Sequence, residues 1–189
     1  MGRLGGMSSE YISELKKWAN ELDARAAEAQ RAKEGEVPLD RAVDLIGKTF
    51  AVQNHEVAIL GLTPDGRSLR FIAPQTLRQV GQIPLSSTNS LAARTARERR
   101  PEIINHFSVV PHASVFEAVP IAESQRGDAI QKIMSSPIMS GGKPIGVAQI
   151  SRKGKSAADA GPDFTHAQLR ELKLICDAIA PCLLLNGKE

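Results

Sequence analysis

Aromatic residues are scarce in this 189-residue sequence, and neither sign of charge dominates it. One tryptophan and one tyrosine leave few platforms on which the bases of single-stranded nucleic acid could stack. The formal net charge is only +3, from 24 basic and 21 acidic side chains. That balance favours solubility over an electrostatic nucleic-acid footprint, so no nucleic-acid partner is expected.

Long apolar runs are also missing. No stretch reaches the roughly 18 apolar residues of a membrane-spanning helix, so no membrane partner is expected. Residues 1–7 lack the apolar segment and cleavage site of a secretory signal. The two cysteines, Cys176 and Cys182, stand six apart on one predicted helix, which argues against a mutual disulfide. A reducing cytoplasm fits these features best.

Sequence signatures of catalysis are absent as well. No nucleophile, base and orienting group stand in a recognisable set, and no glycine-rich phosphate loop occurs. His106 and His112 lack a third ligand at a suitable spacing, which excludes a predicted metal centre. The sequence therefore predicts a protein that is not an enzyme.

The clearest local signal is a β-hairpin between Ile130 and Ser151. Two apolar runs flank Gly141-Gly142, and glycine readily adopts the positive φ that a two-residue primed turn requires. This turn predicts that Ser140 faces Lys143, Ile138 faces Ile145 and Pro137 faces Gly146.

A helix follows this hairpin. Thr165 as N-cap and Gln168 at N3 form a capping box, and Phe164 can pack on Leu169 as a hydrophobic staple. The apolar residues then recur at helical spacing and predict one buried stripe: Leu169, Leu172, Ile175, Cys176, Ile179 and Leu183. Pro181 predicts a kink or a loosened last turn.

The remaining elements are read from periodicity and turn residues. Helices are predicted from Ser8 or Ser9 to about Lys33, from Leu39 to Phe50, and from Thr88 to Arg99 with Ser87 as the cap. Strands are predicted at Val57–Leu62, Leu69–Ala73, Gln82–Leu85 and Ile103–Ile104. Residues Asn105–Gly127, called the lid segment below, have no clean period. A long irregular segment with apolar content is usually functional.

This order of elements resembles the GAF domain family of small-molecule sensor modules. The resemblance is carried by Gly142–Gln149 and Phe164–Leu172, and by Gly81–Leu85, Ser90–Arg94 and Arg100–Asn105 in the middle of the chain. It implies an α+β fold: a single antiparallel sheet with the N- and C-terminal helices on one face and the lid segment on the other. The chain is accordingly divided into a flexible N-terminus (residues 1–7), an amphipathic helix (8–34), a GAF-like domain (36–185) and a tail (186–189).

The resemblance places a ligand pocket under the lid segment. The predicted pocket and lid residues are Phe71, His106, Phe107, His112, Phe116 and Met134. A neutral imidazole among apolar groups can orient a ligand or hold a haem iron, although a loop histidine is more often bonded to backbone. The identity of any cofactor stays open. A cyclic nucleotide is doubtful, because Gln168 replaces the aspartate that such relatives carry.

The N-terminal helix carries a narrow apolar stripe that is typical of a helix packing on another helix. Its predicted dimer-interface residues are Ile12, Leu15, Trp18 and Leu22. Two arrangements stay open: a homodimer through the terminal helices, as a coiled coil or a dimer arm, or a helix that folds back on its own domain. The resemblance adds weight to the dimer.

These predictions converge on a sensory or regulatory module that acts in signal transduction by ligand-dependent repacking of its terminal helices, through an effector protein or the dimer. The alternative is a protein-interaction or dimerisation module with a vestigial pocket. A third interpretation, a GAF-like methionine sulfoxide reductase, needs a pocket cysteine, and no cysteine precedes Cys176.

Overall fold

The computed structural model describes residues 39–109 and 128–186, together with residues 13, 14, 17, 18, 20, 21 and 24. In chain order these residues contain α1 (Asp40–Phe50), β1 (Val57–Leu62), β2 (Ser68–Ala73), β3 (Gln82–Pro84), α2 (Leu91–Glu98), β4 (Glu102–Ile104), β5 (Ile130–Ser140), β6 (Lys143–Lys153) and α3 (His166–Asn186). Short 3₁₀ turns lie at Asn54–Glu56, Gln75–Leu77 and Phe107–Val109.

The strands form one sheet in the order β3-β2-β1-β6-β5-β4, and every neighbouring pair is antiparallel. The two hairpins meet at the centre, where Val57 of β1 pairs with Ile150 of β6. Because β1, β5 and β6 are buried along almost their whole length, both faces of the sheet are covered. Buried strands of this kind read as continuous apolar runs instead of alternating patterns.

The first face carries the main hydrophobic core. Helices α1 and α3 pack there side by side against the sheet, and each presents its apolar stripe to it. The buried residues of this core include Val43, Ile46 and Phe50 from α1, Ile59, Met134, Ile138 and Ile150 from the sheet, and Leu172, Ile175 and Ile179 from α3. The helix pair and the sheet thus form the two layers of an α+β fold.

The second face is covered by other elements. Helix α2 and the turn at Gln75–Leu77 pack on a cluster that contains Leu60, Leu69, Phe71 and Val147. A third cluster joins Leu91, Ile104, Phe107, Ile130 and Ile133 at the β4 edge of the sheet. The first residues of the lid segment therefore lie on the predicted face, and the predicted fold class is confirmed. Residues 110–127 lie outside the described part of the chain.

The predicted turn between β5 and β6 is present, with φ of 54° at Gly141 and 74° at Gly142. Ser140 faces Lys143 as predicted, but the ladder then shifts between Met139 and Ile138. As a result Ile138 faces Gly146 and Pro137 faces Val147, one residue away from the predicted register. The prediction assumed an unbroken ladder and missed this irregularity.

Gly146 explains why the shifted register is tolerated at this point. A Cβ on this residue would lie 2.3 Å from the Leu60 carbonyl oxygen and 2.4 Å from Leu183 Cδ2. Only a residue without a side chain allows β1 and α3 to approach β6 so closely.

Helix starts were predicted with mixed success. In the capping box of α3, the Thr165 N–H donates to Gln168 Oε1 (3.0 Å) and the Gln168 N–H donates to Thr165 Oγ1 (3.2 Å). The cap predicted at Ser87 is wrong: Ser90 caps α2 by accepting from the Ala93 N–H at 3.2 Å. Helix α3 continues through Pro181 to Asn186. No helix among the described residues is long and apolar enough to cross a membrane.

Candidate functional site

A row of buried hydroxyl and amide groups crosses the second face where an apolar surface would be expected. It consists of Thr95 on α2, Ser135 on β5, and Gln149 and Ser151 on β6, and we call it the polar row. Ser135 and Gln149 face each other across the central hairpin, and both are buried. Polar groups removed from water must find partners, so the bonds within the row define what it can do.

Local sequence explains how α2 reaches the sheet. Ala92, Ala93 and Ala96 are all buried on its inner side, and such small side chains let the helix approach β5 and β6 closely. Thr95 stands on the same helix and is almost completely buried. Its hydroxyl therefore lies within hydrogen-bond distance of the Ser135 hydroxyl.

The hydrogen bonds that join Gln149, Ser135 and Thr95 all run in one direction. The Thr95 hydroxyl donates to the Leu91 carbonyl at 2.8 Å, which uses its only proton. The 2.7 Å contact between Thr95 Oγ1 and Ser135 Oγ is therefore donated by Ser135. Gln149 Nε2 in turn donates to Ser135 Oγ at 3.2 Å. These donors therefore point from the sheet towards α2, and the series of hydrogen bonds begins at the Gln149 carboxamide.

The other end of the polar row is bonded to the backbone of Glu56, whose side chain is buried. The Ser151 hydroxyl donates to the Glu56 carbonyl at 3.1 Å, which fixes β6 to the turn before β1. The Glu56 carboxylate accepts from the Gln53 N–H (2.8 Å) and the Lys153 N–H (2.7 Å). Glu56 thereby satisfies backbone donors, which is a structural role.

His55 lies beside this carboxylate at the margin of the polar row. Partial burial lowers the pKa of its imidazole, and the positive charge of Lys153 lowers that pKa further. The negative charge of Glu56 opposes both effects, and the net direction is downward.

The structure separates the residues predicted to form a pocket. Phe71 is buried on the second face with α2, and Phe107 is buried in the cluster at the β4 edge. His106 is exposed, and His112 and Phe116 lie outside the described residues.

Met134 requires a correction. It is fully buried in the first-face core, on the opposite side of the sheet from Phe71 and Phe107. The reason is the two-residue period of a strand: Ser135 points to the second face, so its neighbour must point to the first.

Among the predicted dimer-interface residues, the structure describes only Trp18. This side chain is 4% exposed and belongs to the first-face core of its own chain, in the same cluster as Leu39 and α1. Glu21, one turn further along, lies 3.7 Å from Arg41 of α1. Ile12, Leu15 and Leu22 lie outside the described residues. The burial of Trp18 agrees with a helix that folds back on its own domain.

Both cysteines are buried in the first-face core, and they form no disulfide with each other. Burial raises the pKa of the Cys176 thiol to about 12, although its 3.9 Å contact with the Ser136 carbonyl opposes that rise. A protonated, inaccessible thiol is a poor nucleophile. Cys176 and Cys182 therefore pack as small apolar side chains.

No group of three or more histidine, cysteine, aspartate or glutamate residues with metal-binding geometry occurs in the described part of the chain. An ion pair joins α2 to the edge strand: Arg94 Nη2, in the middle of α2, lies 2.8 Å from Glu102 Oε1 at the start of β4.

The polar row was not predicted from the sequence. A signal was available, because Gln149 and Ser151 alternate with Ala148 and Ile150 in β6, which is the two-residue period of a strand with one polar face. Thr95 offered no such signal, because its partner Ser135 is 40 residues away.

Comparisons with known proteins give a consistent family assignment. The family model for the GAF domain matches residues 36–183. The structure resembles the GAF domain from an Acinetobacter phosphoenolpyruvate-protein phosphotransferase, with 14% identity, coverage of 94% of this chain and 95% of that chain, and a TM-score of 0.62. A GAF domain from the corresponding Coxiella burnetii protein gives 8% identity, coverage of 93% and 91%, and a TM-score of 0.60.

The free methionine-R-sulfoxide reductase from Neisseria meningitidis, solved with its substrate, is also similar in structure. It gives 11% identity, coverage of 98% of both chains, and a TM-score of 0.57. At such identities the likeness concerns the fold alone. None of the curated proteins compared with the sequence matches it.

Proposed function

The chain belongs to the GAF domain family of sensory and regulatory modules, and we propose that it binds a small molecule on the second face of its sheet. The observation that supports this proposal is the polar row. Binding sites combine apolar walls with a few convergent polar groups. Here Thr95, Ser135 and Gln149 supply neutral polar groups, and Phe71 and Leu60 supply apolar surface on the same face.

Burial of the polar row contributes less to the free energy of folding than an apolar surface would, so its presence calls for a functional explanation. A buried hydroxyl or carboxamide contributes less stability than an apolar side chain of the same shape, because its desolvation offsets most of its hydrogen-bond energy. On the opposite face the central cluster is built mainly from aliphatic side chains. The second face is therefore the place to expect a ligand.

We further propose that occupancy is read out through the terminal helices. A ligand acts on a protein only through its different affinities for two arrangements. Helices α1 and α3 lie on the opposite face of the same strands, so a shift in β5 or β6 on binding changes their packing. The output then passes to an effector protein or a second copy of the chain.

The first experiment is native mass spectrometry of the purified protein. We expect a fraction of the protein to carry a small molecule above the 20.3 kDa polypeptide, and organic extraction then identifies it. If the protein is empty, a thermal-shift screen with a library of metabolites provides the candidate ligand.

The proposed site is tested with a matched pair of glutamine variants. Gln149→Met removes the carboxamide of the polar row. Gln131→Met removes a carboxamide that is equally buried (7% exposed against 4%), but its Nε2 donates at 2.9 Å to the Gly154 carbonyl just after the end of β6. We expect Gln149→Met to weaken binding about tenfold, as for the loss of one ligand hydrogen bond, and Gln131→Met to leave it unchanged.

Equal effects of the two substitutions on the dissociation constant would contradict the proposed site. A ligand that also binds unfolded protein would contradict it too. Circular dichroism of each variant shows whether the fold is retained.

A specific observation favours the alternative function, a protein-interaction module. Leu174 is 62% exposed and Leu184 is 44% exposed, both on α3. These two residues stand about 15 Å apart along the helix, so the exposed surface of α3 offers a partner two separate apolar contact points. We propose that a second copy of the chain packs on this surface and forms a homodimer.

The oligomeric state tests this alternative. Light scattering on the wild type should give twice the mass of the chain, and Leu174→Glu should give the monomer mass. Lys173→Glu, at an equally exposed neighbouring position, is the control and should leave the dimer intact. A wild type that is monomeric at all concentrations would exclude the dimer.

We also propose that the chain is not an enzyme and that it works in the cytoplasm. The support for both statements is that Cys176 and Cys182 are reduced and buried in the first-face core, on the opposite face of the sheet from the polar row. A reductase of the kind seen among the structural relatives would need a reactive thiol. Methionine sulfoxide reduction by the purified protein would refute this part of the proposal.

A further inference from the structure

Two consecutive residues of the edge strand β4 pack on opposite faces of the sheet. Ile103 packs against the first-face core, and Ile104 lies in the cluster at the β4 edge with Phe107 and Leu91. The next residue, Asn105, points to neither core. Its side chain reaches the backbone of Phe164, 59 residues later in the chain.

The contact between Asn105 and Phe164 is a double hydrogen bond. Asn105 Nδ2 donates to the Phe164 carbonyl at 3.0 Å, and the Phe164 N–H donates to Asn105 Oδ1 at 2.9 Å. A carboxamide is the side chain that can donate and accept in this way with one backbone residue. The two bonds fix both the distance and the orientation of the peptide on either side of Phe164.

Phe164 is itself the point at which α3 is held to the first face. Its ring is buried in the first-face core, and the Arg152 guanidinium lies over it at 4.7 Å from the ring centroid. Arg152 Nη2 also donates to the Phe50 carbonyl at the end of α1, at 3.0 Å. The next residue, Thr165, caps α3. A displacement of Phe164 therefore reaches the end of α1 and the start of α3.

We propose that Asn105 is a positioning residue that couples the second face to the first turn of α3. The inference deepens the proposed function, because it names the connection through which occupancy of the second face would reach the terminal helices. Movement of Ile104 and Phe107 displaces Asn105, and its paired hydrogen bonds carry the displacement to Phe164 and the α3 cap. The coupling is local and stereochemical, and it exists whether or not a ligand is bound.

The test is a double-mutant cycle that needs no ligand. Phe107→Ala perturbs the second face, and hydrogen exchange of the backbone amides at the start of α3 is the readout. The Leu169 N–H, which donates to the Thr165 carbonyl at 3.0 Å, is the central probe. In the wild-type background we expect Phe107→Ala to accelerate exchange at this amide about tenfold, which corresponds to about 1.4 kcal/mol.

Asn105→Leu removes both hydrogen bonds at nearly constant volume, and in that background Phe107→Ala should have no further effect on the same amide. A matched control is Lys132→Met. Lys132 Nζ also holds the segment before α3, through the Gly161 carbonyl at 2.5 Å and Asp163 at 2.8 Å, but it does so from β5. In the Lys132→Met background the effect of Phe107→Ala should persist.

Two results would overturn the proposal: an equal effect of Phe107→Ala with and without Asn105, or no effect at Leu169 while amides of β5 respond. If Phe107→Ala does not fold, Phe107→Leu supplies a milder perturbation of the same cluster. Failure of this cycle leaves small-molecule binding untouched, because no ligand takes part in it. Failure of the Gln149→Met binding test would leave this coupling untouched in turn.

Discussion

The two faces of the sheet differ in chemistry, although they share the same strands. The first face packs two helices on aliphatic side chains, and a largely buried arginine, Arg152, links the end of α1 to the residue before the α3 cap. The second face receives one short helix, and its centre is occupied by the polar row. Apolar area removed from water contributes about 25 cal/mol per Å², so the first face supplies most of the stability.

This difference shows how one sheet can serve two purposes. Residues one apart on a strand point to opposite faces, so the sequence can optimise packing at one position and recognition at the next. Met134 and Ser135 are the clearest example, since both are fully buried and lie on opposite faces. Four experiments test this division, from the largest expected effect to the smallest.

Gly146→Ala should have the largest effect, because it inserts a Cβ between the sheet and α3. The new atom would lie 2.3 Å from the Leu60 carbonyl oxygen, which is backbone and cannot move aside cheaply. We expect a loss of about 4 kcal/mol or more in the free energy of unfolding, measured with a chemical denaturant. Gly142→Ala, where a Cβ meets no atom within 4 Å and only the φ of 74° is unfavourable, should cost about 1 kcal/mol. Equal losses would contradict the close approach.

Met134→Ala and Ser135→Ala compare the two faces directly. Met134→Ala leaves a cavity in the first-face core and should cost about 3 kcal/mol. Ser135→Ala removes one hydroxyl from the polar row and should cost about 1 kcal/mol, since its partners retain some of their bonds. Denaturation curves with equal slopes allow the comparison. A larger loss for Ser135→Ala would mean that the second face carries the stability.

Cys176 should make the free energy of unfolding depend on pH in the alkaline range. Its pKa rises from the ordinary 9.0 to about 12 in the folded protein, mainly through burial. Between these values the unfolded chain releases the proton and the folded chain keeps it, so the free energy of unfolding falls as pH rises. The slope should approach about 1.4 kcal/mol per pH unit above the lower pKa.

Denaturation at several pH values between about 8 and 10 measures this slope. Cys176→Ala should remove it, whereas Ile179→Val, a packing change in the same core without a titratable group, should keep it. Neither native cysteine should react with a thiol reagent, because both are buried. Rapid labelling of Cys176 in the folded state would contradict its placement.

His55 should give the smallest effect, and it lies at the end of the polar row. Its pKa is lowered in the folded state, first by burial and then by Lys153, so the unfolded chain binds the proton more readily. Stability is therefore complete above the ordinary pKa of 6.5 and falls as the pH drops below it. His55→Gln should flatten this dependence and match the wild type at alkaline pH, where the imidazole is neutral in both states. A steeper loss of stability at acid pH in the His55→Gln variant would contradict the lowered pKa of His55 in the folded state.

Local features of this fold could be predicted from sequence. The capping box of Thr165 and Gln168 and the turn at Gly141-Gly142 depend on residues two or three apart, and both are present. Strand β1 was predicted with its observed bounds because an apolar run and a Thr63-Pro64-Asp65-Gly66 turn delimit it.

Features that depend on distant contacts could not be predicted in the same way. The register shift beside Gly146 reflects the approach of β1 and α3, which the hairpin sequence does not contain. Met134 was assigned to the wrong face because both neighbours on a fully buried strand are hidden from water, and periodicity does not say which face is which. Asn105 stands in a segment that resembles the family, but its partner Phe164 is revealed only by the fold.

The strand order has a consequence for how the chain is made. The hairpin β1–β2 is complete soon after Ala73 leaves the ribosome, yet β1 needs β6 on its other side, with Val57 opposite Ile150. Until the β6 residues emerge, the backbone N–H and C=O groups on one edge of the apolar strand β1 have no partner. This edge can then pair with strands of other nascent chains. Synthesis at low temperature, or co-expression with a chaperone that shields such edges, should therefore raise the yield of native protein more than any change to either finished face.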